Sequence, residues 1–140
     1  EWVGLVHAGW RGTKEGIAAK AFKLIQENSQ SDPSGIRITF GPRIGACHYE
    51  VGEEFKQYFR KIESRNGKNY FDLAAENKNQ LTAAGAKAEN IEHGGICTVC
   101  ENQDYYSYRK EGDKAGRMLS WIGKTPLHKK VANSAEFRYL

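Results

Sequence analysis

The chain has 140 residues, with 21 Lys and Arg against 17 Asp and Glu and a formal net charge of +4. That is the length of one domain, large enough to bury a core without disulfide or metal staples. With Gly counted and Tyr left out, about 45 % of it is apolar, which excludes disordered and collagen-like chains, and no apolar run approaches the ~18 residues of a membrane span.

The opening run Trp2-Val3-Gly4-Leu5-Val6 is short and apolar, as expected of a strand buried on both faces. Gly9 and Gly12 break it. Ile17, Ala18, Ala21, Phe22, Leu24 and Ile25 then share one face at 3.6 periodicity, with Lys14, Lys20, Lys23 and Glu27 opposite, and Thr13 is placed to cap that helix. Residues 28–35, with Asp32-Pro33, end it. Residues 36–40 alternate as a strand and stop at Gly41-Pro42. Val51, Phe55, Tyr58, Phe59 and Ile62 recur at helical spacing and predict a second amphipathic helix, followed by a polar turn over residues 64–69. Asp72 caps a third helix running to Ala84 and ended by Gly85. Residues 91–97, 105–109 and 118–122 read as strands. Helices and strands alternate early and strands cluster late, which predicts a mixed α/β or α+β protein.

The charge is concentrated at the C-terminus. From residue 123 onward Lys124, Lys129, Lys130 and Arg138 face one Glu136, net +3, so a solvated basic tail over 123–140 is expected beyond a domain spanning 1–122, and no nucleic acid or membrane partner. Three cysteines, Cys47, Cys97 and Cys100, do not make a disulfide framework and suit a reducing, cytoplasmic compartment. The chain begins with Glu1 and its one Met is Met118, the pattern expected of a piece of something longer.

Four places could carry chemistry. In His7-Ala8-Gly9-Trp10-Arg11-Gly12, between a strand and a helix start, His7 can ligate a metal or move a proton, or it is a hydrogen-bonded core histidine. Gly12 and Thr13 would point free amides at an anion, beside the fixed charge of Arg11. In Gly41-Pro42-Arg43-Ile44-Gly45-Ala46-Cys47-His48-Tyr49-Glu50-Val51-Gly52, a constrained loop, adjacent Cys47 and His48 diverge if the backbone is extended, while Cys47 could pair with His7 across the fold. Cys97-Thr98-Val99-Cys100 has zinc or redox spacing, which Cys47, His48, His7 or His128 could complete; the bland alternative is incidental thiols. Tyr105-Tyr106-Ser107-Tyr108-Arg109 and Gly116-Arg117-Met118 read either as a hairpin with cross-strand aromatics or as a stacking and anion-binding wall.

Taken in order over roughly residues 2–122, these motifs resemble the laccase-domain family, also called multicopper polyphenol oxidoreductase or purine nucleoside phosphorylase and adenosine deaminase family. The resemblance implies a layered α/β/β/α fold of mixed sheets with outer helices, of which this chain would be a partial domain. It implies one metal ion held by two His and one Cys, zinc favoured and copper the alternative. Of those ligands only His7 lands in this chain; Cys47 matches a motif position but is not the ligand Cys. With His7 and Arg11 at the reacting centre, Gly12, Thr13, Cys47, Tyr108, Arg109 and Arg117 are expected at phosphate and substrate, and Tyr106 or Tyr108 could stack on a base. The implied reaction is zinc-assisted phosphorolysis of inosine, guanosine or adenosine, with adenosine deamination beside it. Copper-dependent phenol oxidation is the runner-up, disfavoured because a multicopper centre needs many His and the chain has four. An inactive fragment or binding module is the third alternative, and a second copy or a complementing chain is the expected macromolecular partner.

Overall fold

The computed structural model describes residues 2–29 and 32–124; most of the expected basic tail, and His128 with it, falls outside them. The architecture is mixed α/β, with two small sheets and packed helices. Among the described residues no helix is long and apolar enough to cross a membrane.

The first helical region is broken. α1 (Trp10–Lys14) and α2 (Ile17–Ser29) are separated by Gly16, whose φ of +68° turns the chain where a side chain would be strained. Thr13 does not cap; Gly9 takes that place, and Thr13 is fully buried inside α1. α2 buries Phe22, but Leu24, expected on the same face, is exposed. β1 (Ile38–Phe40) pairs in parallel with β5 (Ile91–His93), Ile38 opposite Ile91. The expected longer strand over 91–97 is therefore cut to three residues, with a lone parallel bridge from Arg43 to Cys97 beyond it.

The second sheet replaces the predicted second helix. β2 (Glu50–Val51), β3 (Ile62–Arg65) and β4 (Lys68–Phe71) form an antiparallel sheet in the order β2-β4-β3. Between β2 and β3 a 3-10 turn over Glu53–Gln57 places Phe55 and Phe59 on one side, so the helical spacing is met by a single turn and then abandoned. Asn66 and Gly67, with φ of 49° and 74°, form the two-residue loop joining β3 to β4, the turn that suits the right-handed twist of a hairpin.

α3 (Leu73–Ala83) is the element closest to expectation. Asp72 Oδ1 accepts from the Ala75 amide at 2.9 Å, and Leu73, Ala74, Asn77 and Leu81 face inward. After Ala84, Gly85 leaves the helix at φ +103°.

Two apolar clusters result. Tyr49, Phe55, Phe59, Phe71 and Leu73 form one, with Trp10, Ile44, Val51 and Ile62 against it; the Phe59 and Phe71 rings stack 4.3 Å apart. Phe22, Leu81, Ala86 and Ile91 form the other, between α2, α3 and β5.

Two further expectations fail. Residues 2–6 form no strand; Trp2, Val3, Leu5 and Val6 are exposed along α2, where a Cβ on Gly4 would stand 3.1 Å from Ile25 Cδ1. Strand dihedrals need a paired ladder to hold them, and this segment has none among the described residues. Nor do residues 105–109 and 118–122 make a hairpin. Tyr108–Glu111 is a single turn, α4, because the Glu111 carboxylate accepts from the Ser107 amide (2.7 Å) and from Asn102 Nδ2 (2.8 Å); residues 118–122 are irregular.

Candidate functional site

His7 is exposed, just before α1. A Cβ on Gly9 would stand 3.0 Å from His7 Nε2, so a larger residue there would press on the imidazole. Gly12 owes its small size to packing, since a Cβ would lie 3.0 Å from Ile17 Cγ2 and 3.3 Å from the His7 carbonyl. Thr13 is a correction to the expected phosphate site. Its amide donates to Gly9 O (2.8 Å), its hydroxyl donates to Ala8 O (3.2 Å) and accepts from Asn77 Nδ2 (2.8 Å), and it has no exposed surface. A residue so enclosed cannot meet an anion. Arg11 is exposed, its guanidinium 4.4 Å over the Trp10 ring.

Elsewhere the chain forms an open cleft of about 780 Å³, within the usual range for small-molecule sites. His48, Glu50, Val51, Gly52, Val99, Cys100, Arg109 and Lys110 line it. Arg109 Nη1 donates to Glu50 O at 2.6 Å, and its guanidinium lies 5.2 Å from the Tyr49 ring centre. Burial pushes the Tyr49 hydroxyl's pKa up, and the charges of Arg109 and Arg11 both pull it back. Arg117 spends Nη1 on the carbonyls of Ala115 and Gly116, and Tyr108 donates to Asp113 Oδ1 at 3.2 Å; neither lines the cleft. Tyr106, half-exposed, covers Gly116, where a Cβ would collide with its ring.

At one edge of the cleft the two cysteine motifs meet. Cys47, His48, Cys97 and Cys100 hold their ligand atoms all within 4.8 Å of one another. His48 Nδ1 lies 3.3 Å from Cys47 Sγ, 3.4 Å from Cys100 Sγ and 3.7 Å from Cys97 Sγ; Cys47 and Cys100 sulfurs are 3.7 Å apart. The expected divergence of Cys47 from His48 is wrong because the backbone there is a turn, His48 N and Tyr49 N both donating to Gly45 O at 3.0 Å. Burial raises the Cys97 thiol, but donors from Cys100, Gly45 and Val99 and the His48 ring outweigh it and bring its pKa to about 6; desolvation and the neighbouring Cys97 and Cys100 thiols push Cys47 up to about 11.

This is the single group of three or more metal-ligating side chains gathered among the described residues, and His7 is not in it. Around His7 the described residues thus offer one ligand, which does not fit a complete centre of two His and one Cys. Cys47, expected at substrate, belongs to the cluster rather than to the cleft lining. The Cys-x-x-Cys spacing pointed to half of the cluster, with Cys47 and His48 among the four residues that could complete it; the constrained loop over residues 41–52 makes the turn that brings them there.

The model of the family described as multi-copper polyphenol oxidoreductase laccase matches residues 1–125. The purine nucleoside phosphorylase of Aquifex aeolicus (strain VF5) is 42 % identical over 123 residues, covering 87 % of this chain and 56 % of that protein. Adenosine deaminase RL5, from an unknown prokaryotic organism, is 36 % identical over 131 residues, covering 86 % and 49 %. The crystal structure of YlmD from Geobacillus stearothermophilus superposes with a TM-score of 0.69 at 34 % identity, over 75 % of this chain and 43 % of that one. The chain spans about half the length of the relatives it matches.

Proposed function

Since the chain belongs to the multi-copper polyphenol oxidoreductase laccase family, we propose that it works as part of a purine nucleoside enzyme, cleaving inosine, guanosine or adenosine with phosphate and also deaminating adenosine. The names of its relatives support the substrate class. The observation that carries the reading is the open cleft of about 780 Å³ with Arg109 and Lys110 on its wall, a size that suits a small-molecule substrate. In this reading zinc, with copper the alternative, would take His7 as one ligand, and its other ligands come from outside the described residues.

The chain's own groups act on the phosphate. Arg11 and Arg109 hold the dianion with planar donors and fix it for attack on the ribose. A phosphate oxygen bonds to C1′ as the C1′–N9 bond breaks, the bonding electrons leave with the purine, and the purine takes up a proton. Lys110 adds a further positive charge at the cleft wall. Held charges of this kind stabilise the transition state without reorganisation, and losing one donor costs about 10²-fold or more in rate where it acts on developing charge.

The test is phosphate-dependent release of free base from inosine, guanosine and adenosine, with zinc or copper added to metal-free protein. Arg109→Ala is expected to raise the KM for phosphate at least about tenfold, a loss the size of one charge-assisted hydrogen bond. Copper-dependent oxidation of phenols without any base release would overturn the reading, as would a phosphate KM unmoved by both Arg11→Ala and Arg109→Ala.

A further inference from the structure

We propose that Cys47, His48, Cys97 and Cys100 form a structural zinc site that staples the loop before β2 to the turn after β5, separate from any metal held by His7. Zinc bonds thiolate sulfur at about 2.3 Å and imidazole nitrogen at about 2.0–2.1 Å, so a regular tetrahedron has S···S edges of about 3.8 Å and S···N edges of about 3.6 Å. The Cys47–Cys100 sulfur separation is 3.7 Å, and the three sulfur separations from His48 Nδ1 are 3.3, 3.4 and 3.7 Å. These four of the six edges are each within about 0.3 Å of the tetrahedral value, and the two from Cys97 to the other sulfurs are no longer than 4.8 Å. A disulfide between Cys47 and Cys100 would use two of the four groups and leave Cys97 and His48, 3.7 Å from each other, without a role.

The surroundings are arranged for a charged centre. Gly45 N donates to Cys97 Sγ at 3.2 Å, and a Cβ on Gly45 would crowd both Cys97 and Cys47, so glycine there is what lets the backbone approach the sulfurs. Thr98 N donates to Arg43 O at 2.9 Å and Arg65 Nη2 donates to Ala46 O at 2.5 Å, which positions the two ligand-bearing segments before any ion arrives. Each thiolate opposes the ionisation of the next one beside it, and a bound dication removes that opposition. Cys47, His48 and Cys100 are exposed, so an ion can enter from solvent.

The donor set selects the ion and its role. Three thiolates and an imidazole exclude magnesium and calcium, which take oxygen, and a tetrahedral arrangement suits zinc over cupric copper. Four protein ligands leave no open position for water or substrate, the mark of a structural site. Because His48 and Cys100 also line the cleft, the ion would fix one of its walls. None of this depends on the nucleoside reading.

The experiment titrates cobalt(II), then zinc(II), into the reduced, chelator-treated 140-residue chain, reading thiolate-to-cobalt charge transfer, tetrahedral d–d absorption and zinc content. Expected is one tetrahedral cobalt per chain, displaced by zinc, with the same spectrum in His7→Ala. Cys47→Ala and Cys100→Ala, which change exposed thiols, are expected to weaken cobalt binding more than about tenfold. The proposal is overturned if the reduced chain gives no tetrahedral spectrum, if both cysteine variants bind as tightly as the parent, or if His7→Ala abolishes the spectrum. These readouts are independent of activity, so failure here and failure to cleave nucleosides are separate results.

Discussion

Glu111 shows how one side chain decides a local structure. One of its carboxylate oxygens accepts from the Ser107 amide and from Asn102 Nδ2, and those two bonds, in that order, hold its pKa below the ordinary 4.5. The bonds favour the ionised form, so the stability they supply is fully present above about pH 4.5 and is lost as the pH falls through the lowered folded value. Glu111→Gln is therefore expected to flatten the acid limb of the stability profile, measured by urea unfolding from about pH 6 to about pH 3. An unchanged slope would show that the carboxylate is not held in solution. From sequence, Tyr105–Arg109 looked like strand, because alternating aromatics carry β propensity. The local hydrogen bonds to Glu111 override that propensity, and nothing in a pattern of side-chain types reports them.

At the scale of elements, the hairpin β3–β4 is the instructive case. The spacing of Val51, Phe55, Tyr58, Phe59 and Ile62 fits a helix, yet the chain uses a 3-10 turn flanked by strands, and all but Tyr58 still reach the apolar cluster around Phe71. A helical period and a turn-then-strand path can bury the same residues, so periodicity alone cannot separate them. Asn66-Gly67 was the discriminating signal, because both residues take positive φ and few other pairs do so cheaply. Gly67→Ala is expected to cost about 1–2 kcal/mol of stability through left-handed strain, read by chemical denaturation; a neutral substitution would mean the loop has another geometry. α3 was legible for the opposite reason. Its cap, its buried stripe and its terminal glycine all lie within a few residues of one another, where local rules act without competition.

Across the whole molecule, the His-Ala-Gly-Trp-Arg-Gly segment is tied to the rest by buried polar contacts. Asn77 on α3 donates to the Thr13 hydroxyl 64 residues earlier and to Leu73 O, and Gln80 Nε2 donates to the Thr13 carbonyl at 2.9 Å. Buried donors like these cost more to orphan than they contribute when made. Asn77→Ala should lower unfolding stability by about 1–3 kcal/mol, measured in urea. It should also loosen α1 against α3, seen as faster amide exchange at Thr13 than in the parent. Protection at Thr13 unchanged from the parent would break the link between the two helices. This contact also explains why Thr13 was misplaced at phosphate: a threonine near a helix start has the same local signature whether it caps, binds an anion or accepts from a distant asparagine.

Composition, motif order and short-range caps were sufficient to set the mixed α/β class, the course of α3, the strands within residues 36–40 and 91–97 and the family, since each rests on residues close together in the chain or on types read without coordinates. Pairing was another matter. The meeting of Cys47 and His48 with Cys97 and Cys100, the approach of Arg109 to Tyr49, and the exposure of residues 2–6 all depend on segments tens of residues apart. Which distant segments touch is decided by the combined burial and hydrogen bonding of the folded chain, a sum over many weak contacts that no single stretch of sequence contains.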